Sequence, residues 1–123
     1  MKKNIAVIFG GRSAEHDVSI VTAHTPIIQS LLAMGQFEVL PIYIARDGSW
    51  YSDQAMIDLA CFKRDDFHEY LKKQKKIGFL FDNGLKIVQS GIRQKVIRIN
   101  IVFPAMHGTF GEDGSLMGFL RMA

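Results

Sequence analysis

Two glycine-rich segments carry the side chains best suited to chemistry. The first is Gly10-Gly11-Arg12-Ser13-Ala14-Glu15-His16, and the second, residues 107–114, reads His-Gly-Thr-Phe-Gly-Glu-Asp-Gly. Gly10-Gly11 lets the backbone turn sharply and approach a ligand closely. Glu15 stands near the start of a helical pattern, where the helix end favours its anion. A fixed carboxylate there suits a ligand ammonium group; the plain alternative is that Glu15 only stabilises its helix start. His107 stands where a strand ends and can donate a hydrogen bond or share a proton near neutral pH. A structural cap on that strand end is the competing role. Glu112 suits binding its own loop to the surroundings rather than touching a substrate, and Asp113 or Ser115 suits capping the helix that follows. The glycine spacing at residues 10–15 is not Gly-x-Gly-x-x-Gly, and no Gly-x-x-x-x-Gly-Lys-[Ser/Thr] loop occurs, so a nucleotide-binding Rossmann or phosphate-loop module is disfavoured.

The two loops lie some ninety positions apart, so only the elements beneath them can join them into one site. Residues 4–9 are a short apolar run and residues 97–103 read as the next clear strand, and both suit a central position covered on both faces. If they are parallel neighbours, their loops leave the same edge of the sheet, where open α/β sheets bind ligands. Glu15 and His107 are then expected within about 10 Å of each other, the spacing one amino-acid substrate would bridge. A helix is expected over 15–34, with Val18, Val21, Thr25, Ile28 and Leu32 on its buried face. Pro26 should bend or break it near 22–26, and Gly35 should stop it. Residues 37–45 read as a second strand, 46–49 as a turn, and 50–51 as a brief strand. Residues 53–96 look like an insertion between framework elements, with helical patterns near 53–60 and 65–76. A hairpin over 77–81 and 85–89 turns at Asp82-Asn83-Gly84. The expected fold is α/β, an open and mainly parallel sheet flanked by helices, with a last apolar helix from Ser115 to Ala123.

Composition narrows the partners. The chain has 123 residues, 48% of them hydrophobic and 22% charged, which suits one globular domain. The net charge of +3 comes largely from Lys72, Lys73, Lys75, Lys76, Arg93, Lys95 and Arg98, read as a solvated helix face and hairpin. No basic stripe with interleaved aromatics points to nucleic acid. No apolar run approaches the roughly 20 residues of a membrane span. Cys61 is the one cysteine, so no intrachain disulfide forms, which fits a reducing cytoplasm.

The run Phe9-Gly-Gly-Arg-Ser-Ala-Glu-His-Asp-Val-Ser19 resembles the first signature of D-alanine–D-alanine ligases. Phe103-Pro-Ala-Met-His-Gly-Thr-Phe-Gly-Glu-Asp-Gly-Ser-Leu-Met-Gly118 is similar to a second signature of that family. The resemblance spans residues 4–123 and is weakest across 53–96. It implies an ATP-grasp ligase that uses ATP and Mg2+ (or Mn2+) to join two D-alanines for peptidoglycan, through an acyl phosphate. It implies a Rossmann-like N-terminal domain in a cytoplasmic homodimer, with the ATP-grasp modules in later segments. By that resemblance Glu15 holds the ammonium of the first D-alanine, Val18 packs near its methyl group, and His107 helps hold the same substrate. Gly10, Gly11, Ser19, Gly108 and Glu112 then support the loops around them. The sequence stops before the nucleotide pocket, the metal-binding carboxylates and the domain's last strand, so the 123-residue chain is expected neither to bind ATP tightly nor to turn over. A D-alanine–D-lactate or D-alanine–D-serine ligase is the near alternative, and a non-catalytic binding or dimerisation module the distant one.

Overall fold

The computed structural model describes residues 2–12, 14–81, 84–89 and 95–105. In chain order these form β1 (Lys3–Gly10), α1 (His16–Thr22), α2 (Gln29–Met34), β2 (Phe37–Ile44), β3 (Trp50–Tyr51), α3 (Phe67–Lys72), β4 (Ile77–Phe81), β5 (Leu85–Gln89), β6 (Lys95–Ile99) and β7 (Ile101–Pro104). Short 3-10 turns occupy Gln54–Ile57 and Leu59–Lys63, and a wide, distorted turn over Ala23–Ile28 joins α1 to α2. β1 is the centre of a four-stranded sheet ordered β3-β2-β1-β7, parallel to β2 and to β7, with β3 antiparallel at the edge.

Successive strand residues point to opposite faces, and β1 is buried on both. Ile5, Val7 and Phe9 join Val39 and Tyr43 of β2 on one face, packed under Ile20, Ala23 and Ile28 of the helical segment and Met56 and Cys61 beyond β3. Ala6 and Ile8 join Ile42 and Ile44 on the other, against Leu85, Ile87 and Ile99. Those last three belong to a separate antiparallel sheet, β4-β5-β6. The middle third thus covers both faces of the parallel sheet. It crosses from one to the other around the β3 edge, where Tyr51 and Lys76 form an antiparallel bridge.

The helix breaks where Pro26 requires it. Thr25, the residue before the proline, is extended at φ −132° and ψ 107°, the region that a following proline imposes. Gly35 ends α2 in the left-handed conformation at φ 69°. The expected buried face is wrong. Val18 (49% exposed), Val21 (53%) and Leu32 (48%) face outward and Thr25 is exposed; of the five, only Ile28 is buried. The docked face carries His16, Ser19, Ile20, Ala23 and His24 instead, because the three polar side chains find buried hydrogen-bond partners there.

The strand expected over 97–103 is two strands. β6 completes the antiparallel sheet and β7 pairs with β1, with Asn100 alone between them. Asn100 Oδ1 accepts from the Asn4 amide at 2.8 Å, and the Asn100 amide donates to the Asn4 carbonyl at 2.9 Å. Asn4 Nδ2 donates to the Arg98 carbonyl at 2.8 Å. This clasp satisfies the backbone at the point where the chain changes sheets. The hairpin expectation holds in that β4 and β5 are antiparallel and Gly84 has φ 110°; Asp82 and Asn83 of the expected turn lie outside the described residues.

Candidate functional site

β1, β2 and β7 are parallel, so the loops that follow them leave one edge of the sheet. Gly10 (φ 94°) and Gly11 (φ 101°) turn the chain there. A Cβ on Gly10 would lie 2.2 Å from the Ile44 carbonyl oxygen, a contact no side chain allows. The Gly11 amide donates to that same carbonyl at 2.8 Å, folding the loop against the end of β2. Ser19, fully buried, reaches back from α1: its Oγ accepts from the Gly10 amide at 2.7 Å and donates to the His16 carbonyl at 2.8 Å.

His16 and Tyr43 complete the support. His16 Nδ1 faces the Gly11 carbonyl at 2.5 Å and therefore donates; Nε2 lies 2.9 Å from the Tyr43 hydroxyl and accepts a hydrogen bond from it. Burial pushes the Tyr43 hydroxyl up to about 12, so it keeps its proton and can donate. The imidazole and phenol also meet edge to face at 5.4 Å between centroids. Glu15 is the residue directly before His16 and is exposed at the start of α1, where its side chain makes no capping hydrogen bond.

The turn after β2 closes the other side. Arg12 Nη2 donates to the Asp47 carbonyl at 3.2 Å, and its guanidinium lies across Gly48, where an added Cβ would meet Nη2 at 2.3 Å. Gly48 has φ 90°. The Ser49 amide donates to Asp47 Oδ1 at 2.8 Å and holds that carboxyl below its ordinary range. Arg46 pairs with Asp17 of α1 at 3.1 Å, both side chains exposed.

Gly10, Gly11, Glu15 and Ser19 therefore gather at one end of the sheet. Val18 is on the exposed side of α1. His107, Gly108 and Glu112 lie outside the described residues, as does the expected Glu15–His107 spacing. The chain leaves β7 at that same end, where the Ala105 amide donates to the Ile8 carbonyl at 2.7 Å. Sequence reasoning missed the roles of His16, Tyr43, Arg12 and Gly48. His16 and Tyr43 are 27 residues apart on different elements, and only the β1–β2 register brings them together. Among the described residues no three His, Cys, Asp or Glu side chains converge on a possible metal position.

Known proteins give this frame its relatives. The family described as D-ala D-ala ligase N-terminus matches residues 4–123. A D-alanine–D-alanine ligase of Thermosipho melanesiensis is 37% identical over 97% of this chain and 32% of its own length. The solved D-alanine–D-alanine ligase of Coxiella burnetii is 34% identical, with a TM-score of 0.75 over 98% of this chain and 33% of its own. The VanG D-Ala:D-Ser ligase of Enterococcus faecalis is 30% identical, with a TM-score of 0.78 over 100% of this chain and 34% of its own. The chain spans about a third of the length of the curated relatives it matches. Both signature-like runs fall inside the matched residues, and the parallel sheet flanked by helices is shared with solved members; the chain belongs to the D-alanine–D-alanine ligase family, as its N-terminal domain.

Proposed function

We propose that this chain is the first-substrate side of an ATP-dependent D-alanine–D-alanine ligase. The observation that supports this most is the braced Gly10-Gly11 turn, which presents an exposed Glu15 at the edge where the chain also leaves β7. In this reading the Glu15 carboxylate receives the ammonium of the first D-alanine, Val18 borders its methyl group, and His107 holds the same molecule from the second loop. His16, Ser19 and Tyr43 keep the turn in place. When bound, ATP and magnesium supply the activation of the first D-alanine's carboxylate. In this reading both are held by the remaining two-thirds of a ligase chain. With them come a homodimer, a cytoplasmic location and a role in peptidoglycan supply. No helix among the described residues is long and apolar enough to cross a membrane.

The test is steady-state kinetics on a complete ligase chain carrying residues 1–123. Glu15→Gln keeps shape but removes charge, and a charge-assisted hydrogen bond contributes about 1.5–3 kcal/mol. KM for the first D-alanine should rise roughly 10- to 150-fold, with the ATP parameters little changed. A folded variant with unchanged D-alanine kinetics would return Glu15 to a structural role. Likeness to a D-Ala:D-Ser ligase at TM-score 0.78 favours one second reading, a D-serine-accepting ligase. Offering D-serine and D-lactate in place of the second D-alanine separates the two.

A further inference from the structure

A cavity of about 390 Å³ opens beside the turn that follows β2. This volume is within the roughly 300–1,000 Å³ of small-molecule sites. Its walls are apolar and mostly aromatic: Tyr43 and Tyr51 from the sheet, Phe67 and Leu71 from α3. Two cations stand at its rim, Arg46 from the turn and Lys72 from α3. Each has an exposed partner, Asp17 at 3.1 Å and Glu69 at 3.5 Å. Such exposed pairs are worth little, so either cation can turn inward towards a better anion at small cost.

Of its lining, the ligase reading uses only Tyr43, through the hydroxyl that meets His16. The cavity sits at the carboxyl end of β2, the end of an α/β sheet that receives ligands, yet it is separate from the Gly10-Gly11 turn. We propose that it binds a small aromatic monocarboxylate. The ring would lie among Tyr43, Tyr51 and Phe67, which prefer edge or offset contacts with another aromatic. The carboxylate would meet the Arg46 guanidinium, whose two-pronged geometry matches it, with Lys72 as the second cation. Asp47 stands at the same rim with its carboxyl held ionised by the Ser49 amide. That fixed negative charge favours a monoanion over a phosphate dianion.

The proposal is independent of the ligase activity and is tested on this chain by following backbone amides in NMR titrations. The probe is 3-phenylpropionate, with 3-phenylpropionamide (ring without charge) and propionate (charge without ring) as comparators. Saturable shifts centred on residues 45–47 and 67–72 are expected, at a low-millimolar dissociation constant in order of magnitude. Both comparators should bind at least about tenfold more weakly. The Arg46→Gln/Lys72→Gln double variant should lose a similar factor. His68→Trp, a change at an exposed position that fills the mouth, should abolish binding without unfolding the chain. Equal binding of acid and amide, unchanged affinity in the double variant, shifts centred on residues 10–15, or no saturation would each overturn the proposal.

Discussion

A methyl group added at residue 10 has nowhere to go. The obstacle is the Ile44 carbonyl, backbone fixed in the parallel ladder, and φ of 94° is itself a region closed to alanine. Gly10→Ala should therefore cost about 3 kcal/mol or more. Gly35 also has a positive φ, of 69°, but nothing lies within 4 Å of its added Cβ. Gly35→Ala should lose only about 1 kcal/mol. Urea midpoints at constant slope distinguish the two, and similar losses would refute the steric argument. Tyr43 carries a different signature. Its folded value of about 12 lies above the ordinary 10, because burial disfavours the phenolate. The folded state therefore holds a proton that the unfolded state releases, and stability present below pH 10 is lost as pH rises towards 12. Each titrating group adds a slope of up to about 1.4 kcal/mol per pH unit. Tyr70 is also raised, by burial and by its hydrogen bond to Asp53, so Tyr43→Phe should flatten the alkaline slope without abolishing it. An unchanged slope between pH 10 and 12 in chemical denaturation would show that Tyr43 is not the group.

At the scale of elements, the helical segment shows where periodicity succeeds and where it misleads. The break was legible because proline alters backbone chemistry wherever it stands. The docked face was not, because hydropathy gives no credit to a buried Ser19, whose oxygen bonds the Gly10 amide and the His16 carbonyl. The stepping of Val18, Val21 and Leu32 looked like a core stripe and is solvent-facing. Val18→Ala and Val21→Ala should each change stability by less than about 0.5 kcal/mol. Ile28→Ala, at 1% exposure, should cost about 2–5 kcal/mol. Comparable losses at all three positions in thermal or urea unfolding would restore the face expected from sequence. The division of 95–104 into two strands was hidden for a related reason. Asn100 sits in an apolar run and reads as one outward residue of a single strand, whereas its amide groups are what let the chain change sheets.

For the molecule as a whole, part of the 53–96 segment forms a structural layer. Ile87 and Leu85 lie against Ala6, Ile8, Ile42 and Ile44, so the antiparallel sheet packs on one face of the parallel one. Ile87→Ala should cost about 2–5 kcal/mol, while Val96→Ala, at 50% exposure on the same sheet, should be nearly neutral. A small loss at Ile87 in urea unfolding would mean that the layer is peripheral after all. The sequence located the candidate site better than it located this layer. Two motif-like runs named Gly10, Gly11, Glu15 and Ser19 directly, whereas the Tyr43–His16 brace and the second sheet depend on contacts between distant residues. The same long separations bear on how the chain is made. β1 is synthesised first, yet Ile5 pairs with Ile101 and Ile8 with Pro104. Translation at about 5–20 residues per second leaves one edge of the central strand without its neighbour for roughly 5–20 s. During that interval an apolar strand with open amides and carbonyls is a template for other nascent chains. Ribosomes that stall before residue 104 would release the species of this protein most prone to aggregate.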